Sequence, residues 1–169
     1  MTFHRLLCGF LLLAIAGAAQ AAEFSAKVIA VLDGDTLLVL RGGSRIKVRL
    51  ADIDAPEKDQ PHGMVSRETL IELAAKRRVQ VASRATDDYN RLIATVHADG
   101  VNLNREQVRL GMAWAAPSWR GRKADETMVA LQEEARREKR GLWAAPGAIE
   151  PWRWRRSSDD HGGRRHPAR

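Results

Sequence analysis

Three short segments carry acids and arginines where turns and strand ends are expected. VLDGDTLLVL holds Asp35 just past a turn, KVRLADIDAPE holds Arg49, Asp54 and Glu57, and TDDYNR holds Tyr89 and Arg91. Carboxylates can ligate a hard cation or take a proton from water, and guanidinium forks match the paired oxygens of a phosphate. Combined, these residue types describe chemistry on a phosphodiester, an anion that repels hydroxide and gains charge as it is attacked. Singly, they carry little. A DGD turn is more often a solvated hairpin than a metal site, Asp-Ala-Pro-Glu is an ordinary loop, and Tyr89 and Arg91 alone read as surface residues.

The elements around them must place these groups. From Glu23 to Asp52 the pattern is strand-like, with Phe24 to Leu32 and Thr36 to Leu40 separated by the turn dipeptide Asp33-Gly34. Arg45 to Leu50 alternates, with Ile46, Val48 and Leu50 on one face and Arg45, Lys47 and Arg49 on the other, a half-buried strand with a basic outer face. Met64 to Lys76 has helical spacing. Val79 to Ser83 and Leu92 to Ala98 are two further strands around the polar loop 84–91. Asn104 is placed to cap a short helix, with Gln107 three residues on and Gly111 past its end. A longer helix is expected over Ala124 to Arg140. Five strands in two groups around one helix, with two helices after them, predict an α+β chain: a five-stranded OB-type β-barrel with three α-helices.

Co-occurrence of the three segments in this order is specific. Together they resemble the staphylococcal nuclease (thermonuclease) family, and the resemblance extends over about residues 24–155, through VNLNREQVRLGMAW, EEARREKRGLW and PWRWRR. It implies that Asp35 and Asp54 bind Ca²⁺ with the Ala55 backbone carbonyl, that Glu57 acts on the attacking water, and that Arg49 and Arg91 contact the scissile phosphate. Tyr89 is implied in substrate binding, and Trp119 falls where the family stacks a tyrosine on a base. Calcium suits an all-oxygen donor set. The chain departs from the family at Asn90, where a glycine is usual, at Asp88, where the type enzyme has lysine, and at Pro117, where it has a second tyrosine. Asn tolerates positive φ, so the Asn90 turn is expected to survive. Asp52, two residues before Asp54, either points away or strengthens metal binding.

The chain has 169 residues and a net charge of +7. Met1 to Arg5, the apolar run Leu6 to Ala18 and Ala19-Gln20-Ala21 have the form of a secretory signal, too short to span a bilayer, so residues 1–21 are expected to be cleaved. A retained anchor is the alternative. Cys8, the single cysteine, lies in that segment, so the remaining core holds by burial without disulfides. Of the +7, Arg5 supplies one and residues 151–169 supply four, with six arginines against two aspartates, which leaves +2 for residues 22–150. Bulk charge therefore describes the tail more than the body.

Residues 157–169 are polar, Gly-rich and without periodicity, and read as a disordered basic tail. Trp114 and Trp143 beside apolar helix ends read as packing residues. Trp152 and Trp154 alternate with Arg153, Arg155 and Arg156, as in a strap laid on the barrel or an aromatic-basic nucleic-acid contact. The expected protein is a monomeric, secreted or periplasmic, Ca²⁺-dependent nuclease. It would act on DNA and RNA with little sequence preference and leave 3′-phosphate ends, with no membrane association after signal cleavage. Two rivals stand beside it: an inactive nucleic-acid-binding OB module, and a cationic adhesion protein using the Arg/Trp tail.

Overall fold

The computed structural model describes the backbone of residues 22–117 and 123–162, and side chains over 23–117 and 123–157. The expected signal segment, Trp119 and the end of the tail lie outside the described residues. No helix among the described residues is long and apolar enough to cross a membrane.

β1 (Ala22–Val31), β2 (Thr36–Arg41) and β3 (Ser44–Leu50) form an antiparallel meander. β4 (Arg78–Thr86) pairs with β1, and β5 (Leu92–Ala98) pairs with β4. A parallel seam between β3 and β5, Val48 to Leu50 against Leu92 to Ala94, closes the five strands into a barrel. The alternation in β3 holds: Val48 and Leu50 are buried, while Arg45 and Lys47 are exposed. Leu37, Val39, Val79, Val81, Ala94 and Val96 complete the barrel interior from the other strands. Burial of such side chains contributes about 1.5–3 kcal/mol each.

α1 (Gly63–Ala74) connects the two strand groups and buries Leu70 and Ala74 against the barrel. α2 (Leu103–Arg109) and α3 (Glu126–Arg137) begin at Asn102 and Asp125, whose side chains accept from Arg105 N and Met128 N at 3.1 and 3.0 Å. Each such cap typically stabilises by about 1 kcal/mol. Asn104 is therefore not the cap. It is fully buried in the first turn of α2, where its amide bonds Val96 N, Ala51 O and Ala94 O, each at 3.0 Å. Trp114 packs edge-to-face on Trp143 with ring centroids 5.2 Å apart, which is the expected structural role for both.

Among the described residues the fold has four α-helices, one more than the three expected. α4 (Pro151–Gly162) runs through the Trp/Arg stretch and continues six residues into the segment read as disordered. Proline fits the first turn of a helix because the N–H it lacks would be unpaired there. The Glu150 carbonyl then accepts from Arg153 N and Trp154 N at 2.9 and 3.0 Å. A helix rather than a strap thus carries Trp152 and Trp154, both half-buried, while Arg153, Arg155 and Arg156 are exposed.

Candidate active site

The DG turn is pressed onto α1. A Cβ at Gly34 would stand 1.9 Å from Ser66 Oγ and 2.8 Å from Ala55 Cβ, so no larger residue fits without displacing the turn. Gln107, buried in α2, donates to Gly34 O at 2.6 Å and to Ser66 O at 3.2 Å, tying turn and helix together. Asp35 follows at the start of β2, and its carbonyl accepts from Leu50 N at 2.7 Å. Its buried carboxylate accepts from Thr36 Oγ1 and Ala55 N, both at 2.9 Å, and is ion-paired with Arg49.

Arg49 stands opposite Thr36 in the β2–β3 register and turns its fork to the mouth of the barrel. There it bridges Asp35 and Asp54, with Nη2 2.7 Å from Asp54 Oδ1. Asp54 sits in a two-residue strand, Ile53–Asp54, paired with Trp114–Ala115. Burial would raise the Asp35 carboxyl, but the Arg49 guanidinium and the Ala55 N–H outweigh it and hold Asp35 below the ordinary carboxylate range. The same two aspartates push Arg49 further up, against its own burial. Burial, with the neighbouring Asp35 charge, lifts Asp33 to about 6.

Glu57 lies beyond Pro56 in a loop folded on the start of α1. A Cβ at Gly63 would meet Glu57 O at 1.8 Å, which explains the glycine. Buried Gln60 accepts from Glu57 N at 3.1 Å through Oε1 and donates to Ile149 O at 2.6 Å. One side chain thus holds both the Glu57 loop and the segment leading into α4.

The third segment is organised by Asp87. Its carboxylate accepts from Tyr89 N at 3.0 Å, Arg91 N at 2.9 Å and Arg91 Nε at 2.7 Å. What burial Asp87 has would raise its carboxyl, but these bonds hold it below the usual range. Asn90 takes φ 58°, so the turn survives the loss of glycine. The Arg91 guanidinium lies 5.4 Å from the centre of the Tyr89 ring, and Tyr89 is exposed. Asp52 points away, to Arg84, the extra residue of a bulge in β4.

Asp35, Arg49, Asp54, Ala55, Glu57, Tyr89 and Arg91 line one cavity of about 390 Å³. Seven of the eight residues singled out in the sequence therefore meet, and the eighth, Trp119, lies outside the described residues. Asp33 and Arg155 also line this cavity and were not foreseen. Arg155 reaches in from α4 and bonds Asp54 and Glu57. The Pro151 start and the spacing of Trp152 from Arg155 and Arg156 were the helical signals that could have revealed it. Arg49 also borders a second cavity of about 530 Å³, lined by Ala51, Ile93, Thr86 and Asp88 and by Pro117 and Lys123.

The donors at Asp35, Asp54 and the Ala55 carbonyl are all oxygen, the chemistry that fits a calcium ion and not a soft metal. Among the described residues no three or more His, Cys, Asp or Glu side chains form a ready cation cage. Arginines stand between the acids, and each acid oxygen of Asp35 and Asp54 already accepts a hydrogen bond or ion pair.

Residues 47–145 match the family model described as staphylococcal nuclease homologue. The chain is 42% identical over 146 residues to a micrococcal nuclease of Shigella flexneri, covering 81% of this chain and 83% of that protein. It is 41% identical over 148 residues to Protein ParB of Escherichia coli, covering 82% and 83%. It is 40% identical over 147 residues to an uncharacterized endonuclease of Haemophilus influenzae, covering 86% and 81%.

Proposed function

The chain belongs to the staphylococcal nuclease homologue family, and from that premise we propose that it is a Ca²⁺-dependent nuclease. It hydrolyses DNA and RNA backbones with little sequence specificity, leaving 3′-phosphate ends. The observation that carries this reading is the meeting of Asp35, Arg49, Asp54, Glu57 and Arg91 in one cavity from three distant segments.

Arg49 offers a planar fork to two phosphate oxygens, and its charge persists at any working pH. It is braced by Asp35 and Asp54, so little reorganisation is needed when charge builds on the phosphate. Arg91, braced by Asp87, supplies a second fork from the opposite loop. Glu57 takes the proton of the attacking water as the water oxygen bonds to phosphorus and the bond to the 5′ oxygen breaks, and the departing 5′ oxygen takes a proton from solvent. A calcium ion held by Asp35, Asp54 and the Ala55 carbonyl would add positive charge beside the phosphate and favour hydroxide as nucleophile. Exposed Tyr89 is the surface on which a neighbouring nucleotide rests, and the wider cavity beside Arg49 takes an adjoining base. Residues 1–21 direct export, so the enzyme works in a periplasm or in the medium.

The test is digestion of plasmid DNA and RNA by the purified protein with calcium and with chelator. Calcium-dependent loss of both substrates, abolished in Asp35→Ala, is the expected result. Binding of both without cleavage would replace the enzyme by a nucleic-acid-binding barrel.

A further inference from the structure

Arg155 holds both acids that the reaction needs free. Its Nη2 lies 2.7 Å from Asp54 Oδ2, and its Nη1 lies 3.3 Å from Asp54 Oδ1 and 2.6 Å from Glu57 Oε1. It comes from 101 residues beyond Asp54 in the chain, on a helix whose approach is fixed by the Gln60–Ile149 bond. Burial works against the Arg155 charge, and the bonds to Asp54 and Glu57 overcome it and raise its pKa.

We propose that Arg155 is a tethered cation that competes with the divalent metal for Asp54, so that α4 sets the calcium affinity of the site. This rests on the calcium reading above. A calcium ion takes oxygen lone pairs, about six to eight of them. Both Asp54 oxygens are engaged by arginines, and only one of those arginines can leave cheaply. Arg49 is anchored on a barrel strand, its side chain 19% exposed, and also serves Asp35. Arg155 is 46% exposed on α4 and among the described residues pairs with Asp54 and Glu57. Metal entry is then a cation-for-cation exchange at Asp54. The exchange also uncovers Glu57, so the base is freed by the event that loads the site. Without metal, the acids do not face one another unscreened, since the Arg155 guanidinium bonds both and offsets one of their two charges.

The experiment is a calorimetric calcium titration of the whole protein, without nucleic acid, for wild type, Arg155→Gln and Arg155→Lys. Loss of a half-exposed ion pair predicts about fivefold tighter calcium binding in R155Q. R155K, which keeps the charge, should stay within about twofold of wild type on the same scale. Thermal unfolding with calcium would verify that each variant is folded. Equal or weaker binding in R155Q overturns the competition while leaving the metal site standing. No binding at millimolar calcium in any of them overturns the metal site as well.

Discussion

The two halves of the cavity are built differently. On the barrel side, Asp35, Arg49 and Asp54 are largely buried, cross-bonded and tied to strands through Leu50 N, Thr36 Oγ1 and Ala55 N. On the other side, Glu57, Tyr89, Arg91 and Arg155 stand on loops and the last helix, more exposed and held by single residues such as Gln60 and Asp87. The barrel half resembles a fixed template for charge, and the loop half resembles an adjustable partner. Fixed dipoles and charges stabilise a transition state best when they need not reorganise, whereas groups that meet water and substrate must let both in and out. Loss of a loop-side group should therefore cost turnover or substrate affinity with the fold intact. A cut beneath the barrel side should cost the fold.

Glu57→Gln tests the first statement most severely. Turnover should fall by about 10²-fold or more while calcium and nucleic-acid binding persist, measured by single-turnover cleavage and by fluorescence anisotropy. Near-native turnover would remove Glu57 from the mechanism and leave the loop half without a base.

Asn104→Ala tests the second. It strands Val96 N and the Ala51 carbonyl in the barrel, while the Ala94 carbonyl keeps its bond from Ala51 N, so denaturant unfolding should show a loss of about 2–3 kcal/mol. A change below about 0.5 kcal/mol, the usual size for a surface site, would mean the buried amide is not what holds the exit of β3.

Asp87→Asn should give the smallest effect, a rise in KM of about fivefold with kcat little changed, from one loosened charge-assisted contact. Its pH behaviour sharpens the point. The native pKa of Asp87 lies below 3.8, so its ordering of the loop is present above that value and lost as pH falls through the native pKa. Backbone amide shifts of Tyr89 and Arg91 should follow that acid transition in the wild type and not in D87N. Identical profiles would assign the turn to Asn90 and the backbone alone.

Legibility in the sequence divides along similar lines. The strand alternation at Ile46, Val48 and Leu50, the Asp33-Gly34 turn and the apolar spacing of α1 are local periodicities, and local periodicity survives in a linear string. The site residues were legible because three motifs occur together in order. Asn104 and Gln107 were misread as capping groups because a buried amide and a surface amide look alike until a partner is known. The partners here, Ala51 and Gly34, lie 53 and 73 residues away. α4 was missed because its Trp/Arg alternation has period two, while its helical nature rests on Pro151 and the Glu150 carbonyl. The helical signals at Pro151 could place Arg155 on a helix but not name its partner, since Glu57 is 98 residues distant.

The parallel seam has one more consequence. It pairs Val48 with Leu92 and Arg49 with Ile93, so Arg49 and Arg91 become neighbours only where β3 and β5 join. No hairpin, and no half of the barrel, contains both. Such a closure joins segments far apart in the chain, the slowest kind of contact to form. A nascent or partly opened chain therefore holds each guanidinium alone, and competence arrives in a single step, when the cylinder shuts.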